Sequence, residues 1–210
     1  FSIGLLGNLF SRIGSGAVPF LLPLTLQVGL GYTPLQSGLM MVAAALAAML
    51  TKRPVTPLIM RYGYRTVLMA NTLLLGGAIA SLALVGPDQP LWLRIIQFAL
   101  FGAVNSLQFT AMNTLTLKDL GAARASSGNS LLSMVQMVSM SFGVAAAAAL
   151  LTTFTQMLAA VRPLQVLRAF HLSFLCAGFI TVAAAWVFSQ LSSEVKSGGE
   201  PEQAVDVAPS

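Results

Sequence analysis

Apolar residues fill six segments of the chain, each long enough to cross the roughly 30 Å hydrocarbon core of a bilayer as a helix. Short breaks rich in glycine, proline and aspartate separate the segments, so neighbouring helices must run antiparallel. The predicted helices span residues 3–26, 34–60, 66–85, 92–117, 125–154 and 167–191. The pattern therefore predicts an all-α membrane protein, with a six-transmembrane-helix bundle over residues 1–191 and a disordered polar tail over residues 192–210.

Composition agrees with lipid as the solvent of this chain. Of its 210 residues, 56% are hydrophobic and 8% are charged, whereas soluble domains carry roughly 25% charged residues. The basic residues are dispersed, which disfavours a nucleic-acid partner. Cys176 is the single cysteine, so an intrachain disulfide or a cysteine metal site is not possible. The chain starts at Phe1 within an apolar helix pattern, and we expect it to be the C-terminal part of a longer protein.

The distribution of basic residues predicts which side of the membrane each loop faces, because Lys and Arg concentrate near cytoplasmic helix ends. Alternate loops place seven basic residues on one side and three on the other, with Arg12 inside the first helix; the three are Arg94, Arg162 and Arg168. The richer side holds Lys52, Arg53, Arg61, Arg65, Lys118, Arg124 and Lys196. We therefore expect a cytoplasmic second–third loop and a cytoplasmic C-terminus.

Polar residues recur at helical spacing on the first, fourth and fifth predicted helices, and they form one stripe on each. The candidate transport-pathway residues on these stripes are Asn8, Arg12, Ser15, Asn105, Gln108, Asn129 and Gln136. Two interpretations remain open for the amides: they line a path for a solute, or they join helices by hydrogen bonds. Arg12 favours the functional interpretation, because a central arginine costs about 2.5–3.5 kcal/mol on insertion scales.

The acids are absent from all six predicted segments. They are Asp88, Asp119, Glu194, Glu200, Glu202 and Asp206. A carboxylate that carries protons across the membrane, or one that pairs with Arg12, must therefore lie elsewhere. His171 near the start of the sixth helix is interpreted as an interfacial, solvated residue. The sequence shows no cluster of metal ligands and no phosphate-binding loop, so we expect no metal, no cofactor and no enzymatic activity.

The loop between the second and third helices carries a motif. Residues 56–65 read TPLIMRYGYR, in which Arg61, Gly63 and Arg65 match the last positions of the pattern Gly-x-x-x-Asp-Arg-x-Gly-x-Arg. Thr56 and Met60 replace its Gly and Asp, which puts a gating salt bridge at this loop in doubt. Longer stretches carry a closer match: SRIGSGAVPF at 11–20, LQVGLGYTPLQSGLMM at 26–41, RYGYRTVL at 61–68 and MNTLTLKDL to ASSGNSLLSM within 112–134.

On these residues the chain resembles the C-terminal half of a transporter of the major facilitator superfamily, in its fourteen-helix drug:proton antiporter branch. The resemblance implies two inverted three-helix repeats, in which the first and fourth helices lie nearest the cavity. It also implies a proton-driven exporter of small amphipathic solutes in a bacterial inner membrane, working by alternating access with an N-terminal half. The alternative is a non-transporting membrane scaffold or sensor that keeps a transporter-like bundle.

Overall fold

The computed structural model describes residues 2–51, 55–118, 122–159 and 162–189, and these residues form helices joined by short turns. The helices are α1 (Ser2–Leu24), α2 (Pro34–Leu50), α3 (Val55–Tyr62), α4 (Tyr64–Ser81), α5 (Leu91–Lys118), α6 (Ala122–Met157) and α7 (Pro163–Ser189). A π-helical turn, Thr25–Gly29, extends α1, and a 3-10 turn, Leu82–Leu84, extends α4. The predicted tail at 192–210 lies outside the described residues.

Within this described part, four helices are long and apolar enough to cross a membrane. Their apolar spans are Thr66–Leu84, Leu91–Thr114, Ser127–Met157 and Leu164–Ala183. The helix α2 is apolar but has 17 residues, close to the lower limit of a span. These findings establish an all-helical membrane fold, while the six-span count stays a prediction.

The structure divides the predicted second segment, 34–60, into α2 and α3. Proline disfavours a continuous helix because it lacks an N–H and clashes with the preceding turn, and Pro54 and Pro57 fall in this region. The start of α2 is well capped: the Thr33 hydroxyl accepts from the Gln36 N–H, and the Gln36 side chain accepts from the Thr33 N–H. Residues 52–54, with Lys52 and Arg53, lie outside the described residues.

Several pairs of helices approach each other closely at glycines. A Cβ added to Gly102 of α5 would lie 2.1 Å from the backbone oxygen of Ala44 in α2. A Cβ added to Gly143 of α6 would lie 2.7 Å from the backbone oxygen of Ile13 in α1. Small residues let helix backbones meet in this way, which gives van der Waals contact where lipid offers no hydrophobic drive between helices.

A third close crossing joins α4 to α7, where Gly76 faces Gly178. The largest buried cluster lies among α1, α4, α5 and α7, and it includes Leu21, Ile79, Phe98 and Phe174. The outer helices are α2, which packs on α5, and α6, which packs on α1. Only 17% of the residues in the apolar span of α6 are buried, so most of this helix faces the surroundings of the bundle.

Candidate functional site

Arg12 lies on α1, half-buried, with its guanidinium carbon 4.2 Å from the centroid of the Phe109 ring on α5. A guanidinium over an aromatic face is attracted by the ring quadrupole, and the attraction grows as water is removed. Phe109 itself keeps 41% of its surface exposed. The contact therefore couples the two helices that the sequence predicted to lie nearest the cavity, and it leaves part of the ring open.

A second polar contact extends this arrangement to α6. The Gln136 Nε2 donates a 2.6 Å hydrogen bond to Asn113 Oδ1 on α5. Asn113 lies one helical turn after Phe109, so the two side chains share a face of α5. Arg12, Phe109, Asn113 and Gln136 thus form two contacts on successive turns of α5, one to α1 and one to α6, and we call these four residues the polar line. The sequence analysis named Arg12 and Gln136, whereas Phe109 and Asn113 emerge from the structure.

Gln108 belongs to a different contact, a buried bridge between α4 and α5. Asn71 Nδ2 donates to Gln108 Oε1 at 2.7 Å and to the Val104 carbonyl at 3.0 Å. Gln108 Nε2 donates to Thr72 Oγ1 at 2.8 Å. All three polar side chains are at most 5% exposed. These are the interhelical hydrogen bonds that the sequence left open as the alternative role of the amides.

The other predicted pathway residues occupy varied surroundings. Ser15 is buried on α1, Asn105 is half-buried on α5, and Asn129 is exposed near the start of α6. The side chain of Asn8 lies outside the described part of the structure. The structure therefore connects Arg12 and Gln136 through α5, and it does not show Asn129 in that line.

The loop motif forms the junction between α3 and α4. Gly63 has φ +78°, a left-handed conformation that favours glycine, and its N–H donates to the Ile59 carbonyl at 2.8 Å. This geometry explains why the motif holds a glycine at that position. Arg61 is exposed in the last turn of α3, with its guanidinium carbon 5.4 Å from the ring of Tyr62. The side chain of Arg65 is not among those described.

Arg94 is a buried residue that sequence reasoning had counted among the charges of the outer loops. It is 4% exposed near the start of α5. Its Nη2 donates to the carbonyls of Gly86, Pro87 and Gln89, at 2.6, 3.1 and 2.8 Å, and its Nη1 donates to the Tyr32 hydroxyl. The arginine thus fastens the α4–α5 loop and the segment before α2. The sequence around Arg94 gives no sign of this burial, because a basic residue after a glycine–proline turn is equally compatible with a solvated side chain.

Further hydrogen bonds lie beside those of Arg94, and we call the Arg94 contacts the Arg94 clamp. Gln97 Nε2 donates to the Ser81 carbonyl at 2.9 Å and Gln89 Nε2 donates to Gln97 Oε1 at 3.0 Å. His171, interpreted from sequence as a solvated residue, donates from Nε2 to the Val85 carbonyl at 2.8 Å. The end of the bundle that carries the α4–α5 loop is therefore held by polar contacts to the segment before α2, to α4 and to α7.

The described residues contain no group of three or more His, Cys, Asp and Glu side chains that could hold a metal ion. What they contain is a set of long apolar helices with internal polar contacts and close glycine crossings. Together these features are typical of a polytopic α-helical membrane protein, in which costly polar side chains face the interior of the bundle.

The comparisons with known proteins give the family. Residues 4–209 match the model of the Major Facilitator Superfamily, and the chain belongs to this family of membrane transporters. It is 51% identical over 156 residues to the "Putative multidrug resistance protein MdtD" of Pectobacterium atrosepticum, covering 74% of this chain and 34% of that protein. It is 42% identical over 198 residues to the protein of the same name from Salmonella paratyphi B, covering 93% of this chain and 42% of that protein. The chain thus spans less than half the length of these relatives.

Proposed function

We propose that this chain is the C-terminal, six-helix half of a secondary transporter that exports amphipathic compounds in exchange for protons. The observation that carries the proposal is the polar line, because it joins the three helices on which the sequence placed a solute path. The relatives named as multidrug resistance proteins support export of drug-like solutes. Their greater length supports a further half, N-terminal in our proposal, that would complete the transporter.

The pairing of helices supports two inverted three-helix repeats. In such repeats α1 corresponds to α5, α2 to α6 and α4 to α7. Under this correspondence the α1–α6 crossing is equivalent to the α5–α2 crossing, and the α4–α7 crossing is equivalent to itself. Each of these crossings is built on a glycine: Gly143, Gly102 and the Gly76–Gly178 pair. Internal repeats related in this way are typical of transporter folds whose halves rock about a midplane site.

The mechanism follows from the chemistry of the polar line. Arg12 offers a charge and Phe109 an exposed ring, so together they suit a solute with polar and aromatic parts. The pathway residues proposed beside them are Asn8, Ser15, Asn105, Asn129 and Gln136. Gln108 would act by fixing α5 to α4, since its amide bonds α4. Alternating access would let Arg12 exchange partners, pairing with the solute or with a carboxylate of the other half in one state only.

Protons need a titratable group, and the acids of this chain lie outside its predicted spans. We therefore place the proton-carrying carboxylate in the N-terminal half. In the proposed orientation two parts of the chain face the cytoplasm of a bacterium: the C-terminus and the α3–α4 junction, which holds Arg61, Gly63 and Arg65. The α4–α5 loop, which Arg94 holds by hydrogen bonds, faces the opposite side of the inner membrane. The exposed sides of α2 and α6 would meet either lipid or the other half.

The test is Arg12→Ala in the full-length protein, with Arg168→Ala as the matched control because Arg168 is exposed on α7. We expect export of a fluorescent cationic dye and solute-driven proton movement to fall at least about tenfold in Arg12→Ala, which corresponds to 1.4 kcal/mol. Arg168→Ala should behave as wild type. Export and coupling at wild-type level in Arg12→Ala would show that the solute path avoids the polar line. Absence of export by the unsubstituted full-length protein would instead favour a transporter-like scaffold or sensor.

A further inference from the structure

An apolar groove lies on the surface of the bundle beside the buried α4–α5 bridge. Its volume is about 270 Å³, and its walls come from Leu58 and Tyr62 of α3, from Thr66, Ala70 and Leu74 of α4, and from Leu107 of α5. The three α4 residues are spaced by four, so they form one stripe of that helix. The stripe from the first to the last of them is roughly 12 Å long at 1.5 Å per residue.

The groove opens to the surroundings of the bundle. Ala70 and Thr66 are exposed, and Leu74 keeps 60% of its surface exposed. Asn71 also borders the groove, but its amide nitrogen is occupied by hydrogen bonds to α5. The groove therefore presents a nearly apolar floor, and its natural occupant is an extended hydrocarbon chain.

One end of the groove is basic and amphipathic. Tyr62 is 52% exposed at this end, and Arg61 lies beside its ring. In the amino-acid sequence Lys52, Arg53 and Arg65 flank α3, and no acidic residue falls between residues 51 and 66. Tyrosine is enriched where membrane meets water, and each Lys or Arg near the surface attracts anionic lipid.

We propose that this groove binds a phospholipid with an anionic headgroup, with one acyl chain lying along Thr66, Ala70 and Leu74 and the phosphate near Arg61. Apolar walls that run inward from a basic end match the two parts of such a lipid. The lipid would wedge between α3 and α4 and hold the short helix against the bundle. The assignment of this lipid to one leaflet depends on the orientation that we propose for the protein. The choice of an anionic phospholipid depends only on the groove and its basic end.

The test uses full-length protein, purified in detergent and stripped of lipid. Phosphatidylglycerol or phosphatidylethanolamine with identical acyl chains is added, and bound lipid is counted by native mass spectrometry beside the change in melting temperature. We expect phosphatidylglycerol to bind at least about fivefold more tightly, from one or more basic side chains near the headgroup. Equal binding of the two lipids would overturn the proposal.

Substitutions separate the groove from the rest of the lipid-facing surface. Ala70→Phe fills the groove and should reduce retained phosphatidylglycerol at least about fivefold, while Ala183→Phe, on the exposed side of α7, should retain it. Arg61→Gln should remove most of the preference for the anionic headgroup and keep binding of the acyl chain.

Ala70→Leu is a smaller change. If Ala70→Phe does not fold, retention of phosphatidylglycerol by Ala70→Leu is compared with that of Ala183→Phe. Equal retention by the Ala70 variants and Ala183→Phe would contradict the site. Because lipid retention is read without transport, its failure and the failure of the export proposal are distinguishable.

Discussion

At the scale of single residues, the structure distinguishes two arginines that differ little in sequence. Arg12 sits in an apolar helix and stacks on Phe109, whereas Arg94 is almost fully buried and donates to three carbonyls and a phenol. The planar guanidinium, with five donors in a fixed fork, suits several fixed acceptors at once. We infer that Arg94 stabilises the fold, and that Arg12 is positioned to meet a solute.

The first prediction concerns the Arg94 clamp. Arg94→Met should remove the side-chain donor to the Gly86, Pro87 and Gln89 carbonyls and to the Tyr32 hydroxyl. We expect it to destabilise the protein by about 3 kcal/mol and to lower the melting temperature of the full-length protein by roughly 3 °C or more. Thermal unfolding of the full-length protein in detergent measures this shift. Arg168→Met, at an exposed position, is the control and should shift it by about 1 °C or less. A melting temperature for Arg94→Met equal to that of the control would show that the carbonyls find other partners.

The second prediction concerns the aromatic member of the polar line. Phe109→Ala removes the partly exposed ring that a cationic solute would contact, an attraction of about 0.5–2 kcal/mol. We therefore expect the apparent affinity for such a solute to fall about twofold to thirtyfold. Phe179→Ala, on an outward face of α7 with 76% of the side chain exposed, should leave it unchanged. Concentration-dependent dye export measures both, and identical curves for the two variants would remove Phe109 from the solute path.

At the scale of elements, glycine contacts decide how the helices pair. A side chain at Gly102 would meet the backbone of Ala44 rather than a flexible side chain, so neither helix can relieve the contact by rotating a bond. Gly77 of α4 shows the opposite situation, because an added Cβ there meets nothing within 4 Å. The same residue type thus has different consequences according to which neighbour lies opposite.

The third prediction follows from this contrast. Gly102→Ala should push α5 away from α2 and cost about 1–3 kcal/mol of stability, whereas Gly77→Ala should cause no loss. Since the Gly102 contact is with backbone atoms, adding Ala44→Gly should fail to restore the melting temperature. Full rescue by that second substitution would show that side-chain crowding, rather than backbone approach, sets the α2–α5 distance.

At the scale of the whole molecule, the two ends of the bundle differ in chemistry. The α3–α4 junction is basic and glycine-hinged, while the α4–α5 loop is held by the buried Arg94. Basic residues near helix ends predict the cytoplasmic side, and the proposed orientation follows from the sequence count of seven against three. Arg94 shows what that count leaves out, because this buried arginine also holds the loop through its hydrogen bonds.

The fourth prediction tests this orientation. On a background without other cysteines, Met60→Cys in α3 and Asp88→Cys in the α4–α5 loop are both at exposed positions. A membrane-impermeant thiol reagent should label Asp88→Cys in intact cells and Met60→Cys only in inverted vesicles. Cys176 would be replaced by Ser beforehand, and the unsubstituted background serves as the control. The reverse labelling pattern would invert the proposed orientation.

The amino-acid sequence by itself determined the class of fold and the helices of interest. Apolar length and period are local properties, so α4, α5, α6 and α7 could be predicted from their own residues, and the stripe containing Arg12 could be assigned to the interior of the bundle. The glycine of the loop motif was predictable for a related reason, since its positive φ is a local requirement. Membership of the Major Facilitator Superfamily was carried by the same local motifs.

Only the tertiary structure decided which polar groups meet. Gln108 and Gln136 have the same side chain and similar helical surroundings, yet one bonds Thr72 and the other bonds Asn113, 36 and 23 residues away along the chain. The burial of Arg94 likewise depends on which residues lie opposite it. A hydrogen bond needs its partner within about 3 Å, and hydropathy along one chain segment contains no information about the neighbour that packing brings to it.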